Sequence, residues 1–201
     1  MNWFPCKMRS VHESKKGGGE INATVKSVSF GTLCGVDSRE RGIRRRPYMD
    51  ESEKSDPVIQ LNEVFPGDTN ALNTLFGGRL MSIMDTAAGM AASKFCSEDV
   101  VTISVDALKF KRPAYQGDII RTIARVVWTS PRTIGVHVTS CRLSRKEWNP
   151  EEICSGFFFM VAIDSQMKPI PIPQFKPSGK DEQKMWDLAQ AARDAMKAAG
   201  Q

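Results

Sequence analysis

Residues 77–95 read GGRLMSIMDTAAGMAASKF, and the spacing within them decides the fold. Leu80, Ile83, Met84, Ala87, Ala91 and Phe95 recur three and four residues apart, the period of one helix face, so the spacing predicts a helix over 79–95. Met81, Ala88, Gly89 and Ala92 make much of the remaining circumference apolar as well. A helix apolar on most sides is expected to be largely buried. Gly77 and Gly78 close a polar loop, residues 70–78, that leads into it.

Outward from this helix the pattern changes to period two. Residues 58–65 form a short strand candidate before it, ended by Pro66-Gly67-Asp68. Four longer β patterns follow it, over residues 100–111, 118–129, 133–146 and 153–164. The third alternates through Ile134, Val136 and Val138, and the fourth through Ile153, Phe157, Phe159, Val161 and Ile163. In the first, the inward set passes from Val101, Ile103 and Val105 to Leu108 and Phe110, a phase shift that predicts a bulge near Asp106 and Ala107. The turns between the strands are short. One long helix ahead of an antiparallel meander is an α+β arrangement in which the sheet wraps a single central helix. A second amphipathic helix follows, with Ser178 and Asp181 as its capping pair. Its apolar stripe is Met185, Leu188, Ala189, Ala192 and Met196, and Gly200 is its stop. The expected organisation is a disordered extension over 1–54, the folded domain over 55–175 and a C-terminal helix over 176–201.

Charge is distributed unevenly. The chain has 201 residues and a net charge of +5. Residues 1–50 hold ten Lys or Arg against five Asp or Glu, and the remainder holds eighteen of each. The basic character therefore belongs to the extension, where Lys15 to Gly19 and Arg44-Arg45-Arg46 lie, and the domain itself is not expected to bind nucleic acid. Glu13 and Glu20 argue against a mitochondrial presequence, and Met49 offers an alternative start of translation. No run approaches the ~18 apolar residues of a membrane span, so no membrane association is expected. Cys6, Cys34, Cys96, Cys141 and Cys154 form no CxxC pair and are expected as reduced thiols, in a cytoplasmic protein. His12 and His137 are the only histidines, which argues against a His-based metal site or a Ser-His triad. His137 alternates with Val136 and Val138 and is expected to be structural.

Asp85 is the single acid in residues 79–93. A carboxylate on a buried helix is either satisfied by partners or functional, and a buried acid is a candidate general base. Gly77 and Gly78 either permit a tight turn or let a ligand approach the free N–H groups of the first helical turn. Asn70 is either an ordinary loop residue or a group that orients water or a carbonyl.

The linked motifs narrow these choices. Asp68-Thr69-Asn70 precedes Thr74-Leu75-Phe76-Gly77-Gly78, then Met81-Ser82-Ile83-Met84-Asp85 and Ala87-Ala88. Val101 to Asp106, Phe110, Pro113, Gly117-Asp118, Thr129-Ser130 with Thr133, and Phe157 to Asp164 continue the match. Together they resemble the acyl-CoA hydrolase family of hotdog-fold thioesterases, which includes bacterial short-chain acyl-CoA thioesterases and the brain-type acyl-CoA hydrolase. The resemblance implies a hotdog homodimer with active sites at the interface, Asn70 coming from one protomer and Asp85 from the other. It also allows a hexamer built as a trimer of dimers. The implied activity is hydrolysis of acyl-CoA to a fatty acid and coenzyme A, with no cofactor and no metal, coenzyme A being part of the substrate. Asp85 would act as general base on water, with direct nucleophilic attack as the variant mechanism. Gly78 N–H, with Gly77 N–H, would hold the oxyanion. Ser130, Arg132 and Thr133, at the turn between two strands, are the candidates for the phosphates of coenzyme A, with Lys109, Lys111 and Arg112 less specific. A dehydratase would need a His paired with an acid, and none is near Asp85. A non-catalytic acyl-CoA-binding regulatory module is the alternative from another class.

Overall fold

The computed structural model describes residues 55–199. The expected extension, residues 1–54, and the expected stop at Gly200 lie outside the described residues. In chain order the elements are β1 (Val58–Glu63), α1 (Gly77–Cys96), β2 (Asp99–Phe110), β3 (Ile119–Thr129), β4 (Thr133–Leu143), β5 (Pro150–Ile163) and α2 (Lys180–Ala198). The five strands form one sheet in the order β1-β3-β4-β5-β2, every pair antiparallel.

The sheet curls around α1 because both surfaces are built for it. Leu80, Met84, Ala87, Ala88, Ala91, Ala92 and Phe95 of the helix pack on Ile120, Ala124 and Val126 of β3, Ile134, Val136 and Val138 of β4, and Phe158, Met160 and Ala162 of β5. Alanines on the helix let its backbone approach the large side chains of the sheet. The helix ends where Ser97 turns into the left-handed region, φ 61°, its N–H bonded to Ser93 O at 2.7 Å. It begins two residues earlier than the periodicity predicts, so both glycines lie within its first turn.

The face of α1 that the sheet leaves open differs from expectation. Met81, Ser82, Asp85, Thr86 and Met90 are exposed in the single chain. Asp85 is therefore not buried by its own domain. Apolar character on most sides of a helix signals cover, but not that one chain supplies all of it.

β5 is buried on both faces, so its alternation has two readings. Phe158, Met160 and Ala162 face α1, whereas Phe157 and Phe159 face outward beneath α2. The aromatic set of the expected alternation is thus the outer one. α2 covers Val127, Trp128, Phe157 and Phe159 with Ala189 and Met196, flanked by Met185, Trp186 and Ala192. The Trp128 indole N–H donates to Gln190 Oε1 at 2.8 Å. Leu188, expected in the apolar stripe, is 48% exposed, and Trp186 takes its place. The capping partner also differs, since Glu182 and not Asp181 accepts from Ser178 N and Oγ, at 2.6 and 3.0 Å.

In β2 the expected bulge is present as a register shift between Asp106 and Lys109. A second shift, between Thr102 and Ser104, pushes out Ile103 and reverses the expected inward set at the start of the strand. Val100 and Val105 pack on the core, and Thr102 turns toward α1.

Candidate functional site

The loop from Pro66 to Phe76 is held to the start of α1 by Asp68. Its carboxylate accepts the Phe65 N–H at 3.0 Å and Arg79 Nε at 2.8 Å, and its carbonyl accepts the Phe76 N–H at 2.8 Å. The far side of the loop rests on the β2–β3 connection through Leu75 N–H to Ala114 O, 2.8 Å, and a bridge between Thr74 and Tyr115. Asp118 braces that connection, accepting Tyr115 N–H at 2.8 Å and facing Arg142 at 3.7 Å.

Asn70 sits within this frame, half-buried. Its Oδ1 accepts the N–H groups of Leu72 and Thr74 at 2.9 and 3.2 Å, and its Nδ2 donates to Thr74 Oγ1 at 3.0 Å. The side-chain oxygen is occupied by the loop itself. One amide hydrogen of Nδ2 is left to meet a carbonyl or a water.

Phe76 is the residue before α1, extended at φ −64°, ψ 127°, with no side-chain cap for the first turn. The N–H groups of Gly77 and Gly78 have no acceptor among the described residues. They and the helix dipole favour negative charge just beyond the helix start.

Two turns further along, Asp85 stands on the open face of α1. Thr102 Oγ1 donates to Asp85 Oδ1 at 2.6 Å, a short charge-assisted bond that fixes one carboxylate oxygen and leaves the other to the solvent. Thr102 was not among the residues expected from sequence to act in the site. The misassigned inward set of β2 hid it, and a polar β-branched residue on the first strand after an acid-bearing helix was the available signal.

The turn with Ser130, Arg132 and Thr133 is elsewhere. β3 separates it from the β2–β3 connection, so it lies at the C-terminal end of α1, eleven strand residues away, roughly 35 Å. Ser130 Oγ accepts Thr133 N–H at 3.1 Å, Thr133 is buried, and Arg132 is exposed without an ion pair among the described residues. Lys111 and Arg112 are paired with Glu152 and Glu151 at 2.6 and 3.5 Å. His137 is half-buried on the outer face beside Phe157, ring centroids 5.1 Å apart, far from Asp85 in the fold. Among the described residues no group of three or more His, Cys, Asp or Glu could hold a metal ion.

Comparison with known proteins gives consistent matches. The family model of the thioesterase superfamily matches residues 72–148. The uncharacterized acyl-CoA thioester hydrolase YkhA of Bacillus subtilis is 35% identical over 129 residues, 64% of this chain and 75% of that one. A crystal structure of an apo-hexameric acyl-CoA thioesterase superposes with a TM-score of 0.69 at 32% identity, covering 74% of this chain and 94% of that one. The acyl-CoA hydrolase of Staphylococcus aureus, solved with butyryl coenzyme A and coenzyme A, gives 0.68 at 29% identity, covering 76% and 92%. The same enzyme has been solved with alanine in place of an asparagine, an aspartate and a threonine. In that chain the aspartate follows the asparagine by fifteen residues, and the threonine follows the aspartate by seventeen.

Proposed function

The chain belongs to the acyl-CoA thioester hydrolases of the thioesterase superfamily, with the hotdog fold, and from that premise we propose that it hydrolyses acyl-CoA in sites shared between two copies of itself. The observation that carries the reading is the Asp85–Thr102 pair, a carboxylate oriented at 2.6 Å on the open face of a helix with no other acid. Asn70, Asp85 and Thr102 also stand fifteen and seventeen residues apart, the spacing of the three positions replaced by alanine in the Staphylococcus aureus hydrolase.

Helix geometry supports sharing. Gly78 and Asp85 are seven residues apart, about 10 Å along the axis at ~1.5 Å per residue. A reacting carbonyl needs its base and its oxyanion donors each within about 3 Å, directly or through one water. On one chain the two would have to be bridged over nearly that whole axial span, whereas two copies can bring them together at one carbon. In the proposed site Asp85 and Thr102 come from one copy, and Gly77, Gly78 and Asn70 from the other. Asp85 takes a proton from water as the water oxygen bonds to the thioester carbon. Negative charge passes to the carbonyl oxygen, held by the Gly78 and Gly77 N–H groups, while the free Asn70 amide hydrogen orients the carbonyl or the water. Collapse breaks the C–S bond, and the leaving thiolate regains the proton from Asp85. Arg132, with Ser130 and Thr133, would reach the phosphates of coenzyme A from a neighbouring copy. Assembly at least to a dimer, and to a hexamer as three dimers, fits this requirement. The described cysteines are free and buried, which fits a cytoplasmic setting.

The test is release of free thiol from a series of acyl-CoAs, acetyl to palmitoyl, by the purified full-length protein with and without a chelator. Turnover is expected in both conditions, and Asp85→Asn is expected to lower kcat by about 10²–10⁴-fold. Tight binding of acyl-CoA with no turnover for any chain length would replace this reading with the regulatory-module alternative.

A further inference from the structure

Two phenyl rings lie across the two glycines that open α1. A side-chain carbon added to Gly77 would meet the Phe110 ring at 3.5 Å, an ordinary contact. On Gly78 it would meet Cε1 of the Phe76 ring at 2.5 Å and Cζ at 3.0 Å, which the ring in its present place does not permit. Neither glycine has a positive φ, so the backbone does not require them. Glycine is also a poor helix former. What Gly78 provides is room for the ring of Phe76, which folds back over the first turn of the helix it precedes.

That ring is not a core anchor. Phe76 is 56% exposed and Phe110 54%, so neither contributes much to holding the single chain together. The glycines that the rings lie against are the two whose N–H groups have no acceptor among the described residues. Apolar walls around such donors exclude water and strengthen any bond they make to a developing oxyanion. The rings and glycines offer no charged side chain, so the occupant they suit is the thioester segment and not the phosphates.

Resting on the thioesterase reading, we propose that Phe76 is a positioning residue: its ring, laid across Gly78, walls the slot in which the thioester carbonyl meets the first-turn N–H groups. Phe110 flanks the same slot over Gly77. The ring sets how the carbonyl presents itself to the donors, and it keeps bulk water from competing for them.

The experiment uses the full-length protein with butyryl-CoA as substrate and coenzyme A alone as binding probe. Phe76→Ala is expected to lower kcat by about tenfold or more while KM moves less than about threefold. Coenzyme A affinity, oligomeric state and melting temperature should stay at wild-type values, because the product lacks the carbonyl and the ring is mostly exposed. Phe76→Leu, which keeps an apolar wall, should recover most of the loss. Gly78→Ala retains the N–H but displaces the ring, so it should lower kcat in the same way. The double variant should be no worse than Phe76→Ala alone, since the added methyl then has nothing to displace. Wild-type kcat in Phe76→Ala, losses that multiply in the double variant, or a changed oligomer would each overturn the proposal, the last by making the ring a contact between copies. Failure of the wild-type protein to cleave butyryl-CoA or any other acyl-CoA would instead sink the thioesterase reading.

Discussion

The bond from Thr102 Oγ1 to Asp85 fixes the geometry of the one carboxylate on α1. Thr102→Val keeps the shape and removes the donor, so kcat should fall about tenfold with little change in melting temperature, as expected for one charge-assisted bond near the surface. Thr102→Ser, measured beside it, should retain most of the rate. Equal losses in both variants would point to packing instead. A second residue-scale effect concerns pH. Burial lowers the pKa of His137 below 6.5, and a hydrogen bond from Lys111 lowers that of Glu152 below 4.5. In each case the unfolded chain binds a proton more readily than the folded one, so stability falls as pH falls. The melting temperature should be flat between about pH 7 and 8 and decline below 6.5, the ordinary His value, and His137→Gln should flatten the first part of that decline. A slope unchanged in the variant would remove His137 from the effect. Asp85 could be found in the sequence because a lone acid stands out on an apolar helix. Its exposure could not, because Met81, Gly89 and Met90 read the same whether the cover comes from the chain's own sheet or from another copy. Thr102 was hidden by a one-residue bulge, which moves each later side chain to the other face.

Among the elements, the central helix and the four long strands could be read from periodicity because each is ten or more residues long and keeps its period over most of that length, β2 on either side of its bulge. The two faces of β5 could not be told apart, because α2 buries the outer one and both rows are apolar. The role of α2 follows from what it covers. Trp128 is 3% exposed and Phe159 fully buried beneath it, so removing residues 180–199 would bare an aromatic patch on the outer sheet. The truncated protein is expected to elute as large aggregates on size-exclusion chromatography, whereas Leu188→Ser, at an exposed position, should behave as wild type. A well-behaved truncation would show that α2 is dispensable to the domain. The loop from Pro66 to Phe76 makes a comparable case for position. Asp68 ties it to Arg79 and Phe65, and the bonds that Asn70 makes among the described residues stay within the loop. Asp68→Ala should therefore lower kcat several-fold with the carboxylate of Asp85 untouched, and faster hydrogen exchange at Leu72 and Thr74 would report the loosened loop.

At the scale of the molecule, the single chain leaves its own site open. Met81, Met90 and Ile103 are all more than a third exposed, on the open side of α1 and along the edge strand β2. Among the described residues β2 is hydrogen-bonded on one side only, to β5. A monomer rarely shows so much apolar surface beside an unpaired strand edge, and a second copy is the natural cover. If that copy also completes the chemistry, inactive variants should rescue one another. Asn70→Ala and Asp85→Asn each disable both sites of their own homodimer. In a mixed dimer one site carries both defects and the other carries neither. Random pairing makes about half the dimers mixed, each with one intact site of two, so recovery should approach roughly a quarter of wild-type activity. The background should permit this, because loss of a general base costs about 10²–10⁴-fold. Co-expression with two different tags is required, since a large apolar interface exchanges subunits slowly, and the tags also verify the heterodimer. Thr102→Val combined with Asp85→Asn in one chain should be rescued by Asn70→Ala to the same extent, because both defects belong to the same half-site. The same double variant paired with wild type should retain one working site in each mixed dimer. Verified heterodimers of Asn70→Ala and Asp85→Asn that stay as inactive as either parent would mean that both residues serve one site from one chain, and the helix-length argument for sharing would then be wrong.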